Sequence, residues 1–251
     1  MLSSIDIEAI KALALEAGEA IMKIYVQDFA IEYKEDNSPL TEADLKANEI
    51  ICSTLEKLYP NIPIMSEETQ DAPYSVRKNW DYYWCIDPID GTKEFIKKNG
   101  EFTVNIALIH KDTPVLGVVY APVKEELYWA VKDQGAFKNG IKLPLKINHN
   151  PEDKLLVLTS RSHLTQETKD FIASFDTKKI EQKAVGSSLK LCMIAAGEAD
   201  IYPKLGPTSE WDTAAADAIL REAGKMVYQF DLTKPLVYNK EELLNPWFIV
   251  K

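Results

Sequence analysis

Two carboxylates, Asp87 and Asp90, stand three residues apart in the string Trp84-Cys85-Ile86-Asp87-Pro88-Ile89-Asp90-Gly91-Thr92-Lys93-Glu94-Phe95. The apolar run Tyr82 to Ile86 reads as a short buried strand that stops at Asp87. Pro88 fixes φ and removes a backbone donor, and Asp90-Gly91 is a turn dipeptide. Thr92 is placed to cap a short helical turn through Phe95 and Ile96. Carboxylates at the mouth of a strand suit a hard divalent cation, and amides at a helix start suit a phosphate. A bare D-x-x-D-G is most often an ordinary acidic turn, so the rest of the chain has to supply the partners.

Further acids sit at element ends. Glu67 lies in Ser66-Glu67-Glu68-Thr69, after a short strand over Asn61 to Met65, and Asp212 lies in Trp211-Asp212-Thr213 at a helix start. Asp44 follows Thr41 by three residues, which is the acidic partner of a capping box. Taken singly, each has a bland reading as a solvated acid or a cap.

The elements that must position these residues follow from periodicity. Residues 5–26 carry Ile7, Ile10, Leu13, Leu15, Ala17, Ile21 and Ile24 near helical spacing, with Ser3 and Asp6 as a capping box at the start. A polar loop, Glu35-Asp36-Asn37-Ser38-Pro39, separates this helix from a second one begun by Thr41. Phe102 to Ile109, Pro114 to Tyr120 and Glu126 to Val131 are apolar, β-branched strands with short connections, hence antiparallel neighbours, and Asn139-Gly140 is a hairpin turn. After residue 150 strands and helices alternate. Leu155 to Leu158 runs into Thr159-Ser160-Arg161-Ser162-His163, Gly186-Ser187-Ser188 opens a helix, and Trp211 starts another. The expected fold class is therefore α/β (α+β). N-terminal helices pack on an antiparallel sheet over residues 1–148, and a smaller α/β lobe occupies 149–251, jointed at His149-Asn150-Pro151.

The 251 residues carry 39 acidic against 29 basic side chains, a formal net charge of −10. No basic stripe is available to release counterions, so nucleic acid is excluded as a partner. An anionic small substrate would need cations in between. No stretch has the apolar length of a membrane span, and three widely spaced cysteines without CxxC fit reduced thiols in a cytoplasmic protein.

Together with D-P-I-D-G-T-K-E-F at 87–95, the strings S-E-E at 66–68, G-S-S-L-K at 186–190 and E-W-D-T-A-A-A-D at 210–217 resemble the lithium-sensitive, magnesium-dependent phosphatases related to inositol monophosphatase. The resemblance runs over nearly the whole chain. The K-E-F form, with K-K-N-G-E-F-T-V-N-I-A-L after it, is similar to the 3'(2'),5'-bisphosphate nucleotidase branch. It implies a layered αβαβα sandwich and a small phosphorylated nucleotide as partner: 3'-phosphoadenosine 5'-phosphate, cleaved to AMP and phosphate. Inositol monophosphate or another sugar phosphate is the alternative substrate. It also implies two or three Mg²⁺ ions, with Glu67, Asp87 and the Ile89 carbonyl holding the first and Asp87, Asp90 and Asp212 the second. Ions about 3.5–4 Å apart clamp the attacking and leaving oxygens of an in-line displacement. A water near Glu67 is the implied nucleophile, and Thr92, hydrogen-bonded to Asp44, forms the implied pair that accepts its proton, with Asp44 as the base. Gly91 and Thr92 amides would hold the scissile phosphate. Gly186, Ser187, Ser188, Lys190 and Lys204, with Lys34 less firmly, are the candidates for the rest of the nucleotide, against a reading of each lysine as solvated surface. The resemblance leaves open a monomer or a homodimer, and peripheral contact with the cytoplasmic face of the inner membrane.

Overall fold

A computed structural model describes residues 1–34, 39–69, 72–146, 154–175 and 179–251. Glu35 to Ser38 of the expected loop and the His149-Asn150-Pro151 joint lie outside the described residues.

After a single 3-10 turn (Leu2–Ser4) comes α1 (Ile7–Tyr25); the chain continues through the short hairpin β1 (Ile31–Tyr33) and β2 (Pro39–Thr41), and enters α2 (Glu42–Leu58). Asp6 alone caps α1, accepting from Glu8 N at 2.9 Å, so Ser3 has no part in that cap. Next come β3 (Ile64–Ser66), α3 (Tyr74–Arg77), β4 (Tyr82–Asp90), α4 (Thr92–Ile96), β5 (Thr103–His110), β6 (Thr113–Ala121), β7 (Glu126–Val131), β8 (Gly135–Lys138) and β9 (Ile141–Lys142). Strands β3 to β9 form one seven-stranded sheet in sequence order, antiparallel throughout except for the parallel pair β3–β4. It is thus a mixed sheet. The Asn139-Gly140 turn between β8 and β9 has positive φ at both residues, as a type I′ hairpin requires.

Alternation along β4 shows how the layers arise. Trp84 and Ile86 join a buried cluster with Ile10, Leu13, Ile51 and Leu55 of α1 and α2. Tyr83 and Cys85 point the other way, into a cluster with residues from 158 onward. The second half supplies that other side through β10 (Leu155–Ser160), α5 (Gln166–Ala173), β11 (Ile180–Val185), α6 (Leu189–Ala196), β12 (Tyr202–Lys204), α7 (Trp211–Glu222), β13 (Val227–Gln229) and β14 (Phe248–Val250). Helix α7 lies directly on β5 and β6, and β12 packs between α6 and α5. Helices, large sheet, helices, small strands and a last helix give the expected αβαβα stacking. Gly117 on β6 permits the close docking of α7, because a Cβ there would fall 2.1 Å from the Ala215 carbonyl oxygen.

Candidate active site

Strand β4 does not stop at Asp87; it runs on to Asp90 with one residue too many. Asp87 pairs with Asn105 and Asp90 with Thr103, so three steps on β4 match two on β5. In a regular strand, residues three apart point to opposite faces. The extra residue is a β-bulge, which brings both carboxylates to one side. Pro88, unable to donate to the ladder, is suited to that position. Ile89 N donates to Asp87 Oδ1 at 3.1 Å and closes the bulge.

The parallel neighbour β3 delivers Glu67, whose N–H donates to Ile86 O at 3.2 Å. The first turn of α7 delivers Asp212, held by Ser209 N on its Oδ2 at 2.7 Å. Carboxylate oxygens of Glu67, Asp87 and Asp212 all lie within 4.8 Å of one another. Asp90 stands beside them with its Oδ2 taken by Ser188 N at 2.5 Å and Ser188 Oγ at 2.6 Å. Burial, then Glu67, Asp90 and Asp212, push the Asp87 carboxyl well above the usual range. Burial raises Asp90 too, against Lys190 and the two Ser188 bonds. Burial and Asp90 bring Asp212 to about 8.

Asp87 is 1% exposed, yet its Oδ2 has no hydrogen-bond partner. A buried carboxylate oxygen without a donor, set among other carboxylates, is costly unless a cation satisfies it. The donor set is all oxygen, so the residues fit a hard divalent cation. Lys34 also reaches this cluster: its Nζ lies 2.9 Å from Glu67 Oε1 and 2.6 Å from Glu68 Oε1. Burial works against its charge, but the two glutamates outweigh that and raise its pKa, while burial lifts Glu68 to about 7. The Lys34 ammonium is therefore paired with carboxylates instead of facing a phosphate seat.

Beyond the bulge, Gly91 takes φ +96° and serves as the N-cap of α4, with Thr92 as its first helical residue. The cap is thus glycine, not the expected Thr92. A Cβ on Gly91 would be strained at that φ and would sit 3.1 Å from the Glu101 carbonyl oxygen. Thr92 Oγ1 is free to turn elsewhere: it lies 3.3 Å from Asp44 Oδ1 and 3.3 Å from Ile89 O. Asp44 makes both contacts expected of it, the cap and the bond to Thr92. Its Oδ2 accepts from Thr41 N at 2.8 Å and Thr41 Oγ1 at 2.6 Å in a capping box, leaving Oδ1 for Thr92. Burial raises the Asp44 carboxyl, against its bonds to Thr41.

The inositol monophosphatase family profile matches residues 1–247. The chain belongs to the inositol monophosphatase family. It is 45% identical over 247 residues to the 3'(2'),5'-bisphosphate nucleotidase CysQ of Salmonella typhimurium, covering 97% of this chain and 98% of that one. The crystal structure of CysQ from Bacteroides thetaiotaomicron superposes with a TM-score of 0.86 at 47% identity, over 97% of this chain and 96% of the other. The Thermotoga maritima IMPase TM1415 superposes with a TM-score of 0.81 at 26% identity, over 98% and 91%.

In this family member the acids open into a cleft of about 360 Å³. Lys190 and Lys204, 6% and 5% exposed, line it and are not solvated surface lysines. Lys190 Nζ donates to Ser187 O at 2.6 Å and lies 5.2 Å from the Tyr202 ring centroid. Burial brings it down to about 8, against Asp90, and burial lowers Lys204 against Asp212. In the turn before α6, Gly186 N donates to Glu101 Oε2 at 2.8 Å and Ser188 N to Asp90 Oδ2 at 2.5 Å, so those two amides are already engaged within the chain. The far wall was only half legible. Ser160 to His163, at the end of β10, line it: Ser162 Oγ donates to Glu94 Oε1 at 2.6 Å and His163 Nε2 lies 3.4 Å from Lys93 Nζ. Carboxyl ends of strands are where open α/β sheets bind ligands, and that was the available signal.

No helix among the described residues is long and apolar enough to cross a membrane.

Proposed function

We propose that this protein is a Mg²⁺-dependent phosphatase that removes the 3'-phosphate of 3'-phosphoadenosine 5'-phosphate, leaving AMP and phosphate. The observation that carries the reading is the cluster of Glu67, Asp87 and Asp212 carboxylates, in which the buried Asp87 Oδ2 has no donor, beside a cleft that Glu67, Asp212 and two buried lysines line. The choice of a bisphosphorylated nucleotide is supported by the near full-length similarity to proteins named as 3'(2'),5'-bisphosphate nucleotidases.

Glu67, Asp87, the Ile89 carbonyl, Asp90 and Asp212 would hold two or three Mg²⁺ ions. When bound, these supply Lewis-acid neutralisation of the phosphate charge and of the carboxylates. Everything else falls to the chain itself. Gly91 and Thr92 amides at the start of α4 orient the scissile phosphate; the Ser187 turn with Lys190 and Lys204 receives the remaining charge of the nucleotide. Thr92 Oγ1 takes the proton of the attacking water and passes its own to Asp44 Oδ1, whose burial makes it a better base than a solvated aspartate. Bond formation to phosphorus and loss of the 3'-oxygen need no covalent enzyme intermediate, so catalysis rests on positioning and electrostatics. Assembly as a monomer or homodimer, a cytoplasmic location and two lobes divided near residue 148 belong to the same reading.

Phosphate release measured side by side on 3'-phosphoadenosine 5'-phosphate, inositol monophosphate and 3'-AMP tests it. The bisphosphate should have the highest kcat/KM. A preference for the inositol ester would replace this reading with a sugar-phosphate phosphatase.

A further inference from the structure

Asp212 reaches the acid cluster from the opposite side of the fold, and its carboxylate is aimed by a single peptide group. Ser209 N donates to Asp212 Oδ2 at 2.7 Å. The same planar peptide carries Thr208 O on its other edge, and Asn245 N grips that oxygen at 2.8 Å. The Asn245 side chain then holds the next peptide: Nδ2 donates to Ser209 O at 2.7 Å, with Thr213 Oγ1 at 3.2 Å and Thr208 Oγ1 at 3.3 Å sharing its second hydrogen. Asn245 is 7% exposed, and its Oδ1 accepts from Lys240 Nζ at 3.3 Å. Lys240 in turn pairs with Glu210 Oε1 at 2.5 Å, and Glu210, wholly buried, also accepts from the backbone N–H groups of Asn239 and Lys240 at 2.7 and 3.0 Å. Glu210 makes no side-chain cap for α7, so this outside clamp, not the helix, sets how the first turn is presented.

We propose that Asn245 is a positioning residue for the metal-binding face of the site. Gripping both edges of the segment 208–209, it turns Ser209 N onto Asp212 Oδ2 and leaves the other carboxylate oxygen directed at Glu67 and Asp87. The inference rests on Asp212 being a cation ligand, and the test separates the two.

Mg²⁺ binding to the full chain is measured by calorimetry, alongside melting temperature in chelator. Groups that orient a ligand typically cost 10–100-fold in metal affinity when removed, and Asn245→Ala should lose affinity in that range. Asn245→Asp keeps the size of the side chain and an acceptor for Lys240, so it should still fold, melting about 2–12 °C below the parent for the lost donor to Ser209 O; without that donor it should bind Mg²⁺ about tenfold more weakly. An Asn245→Asp protein that binds Mg²⁺ like the parent overturns the proposal, even if Asn245→Ala does not fold. Asp212→Asn serves as the control: its affinity should fall further than either variant, and unchanged binding there would remove Asp212 from the ligands and the clamp's purpose with it.

Discussion

Replacing Asp87 by Asn should make the metal-free protein more stable while removing the stabilisation that Mg²⁺ confers. The variant keeps an oxygen for Ile89 N, now 3.1 Å from Asp87 Oδ1. It also puts an amide donor in place of the orphaned Oδ2, on a side chain clustered with the carboxylates of Glu67 and Asp212. Relieving one unsatisfied buried polar group is worth about 1–3 kcal/mol. For a chain of this size each kcal/mol moves Tm by about 2–4 °C. At a pH high enough to ionise the Asp87 carboxyl, the metal-free variant should therefore melt about 2–12 °C above the parent; at lower pH the carboxyl's own proton supplies a donor and the gain shrinks. Adding Mg²⁺ at a hundredfold excess over Kd stabilises a binding protein by about 2.7 kcal/mol, or roughly 5–11 °C here. The parent should show that rise and the variant should not. Calorimetric melting in chelator, repeated along a Mg²⁺ titration, reads both numbers. A metal-free variant melting at or below the parent, or an undiminished Mg²⁺ shift, would refute the view that Asp87 is held ready for a cation.

Asp44→Asn should lower turnover about 100- to 10,000-fold with Mg²⁺ affinity nearly intact, and cost at most about 1 kcal/mol of stability through the cap; unchanged turnover would leave Asp44 as a cap alone. The acid cluster also sets a pH dependence. Burial and mutual repulsion raise Asp87, Asp90 and Asp212, the last to about 8, so the metal-free folded protein holds protons that the unfolded chain releases above about pH 4. The stability these groups contribute is fully present below that pH and is lost as pH rises toward 8. Melting in chelator should therefore fall between pH 5 and 8 while Mg²⁺ affinity, which requires the protons to leave, rises over the same interval; opposite slopes would contradict the cluster's geometry.

What the sequence by itself determined is local or pairwise. The buried strand over Tyr82 to Ile86 was legible from its apolar run, while which layer Trp84 and Ile86, or Tyr83 and Cys85, pack against came from the fold. Also legible were the Thr41–Asp44 capping box, the Asn139-Gly140 hairpin, and the strings that mark the family. Tertiary structure decided everything that depends on register or on distant segments. The bulge that brings Asp87 and Asp90 to the same side exists only as a mismatch with β5, so the spacing in the string could not show it. Lys190 and Lys204 are buried because α6 and β12 are covered by neighbouring layers, and a lysine's own sequence neighbours say little about that cover. Asn245 carries no motif at all. Its part in the site comes from where the segment before β14 crosses the start of α7, a juxtaposition set by how the helix docks over Gly117 and how the small strands stack behind it.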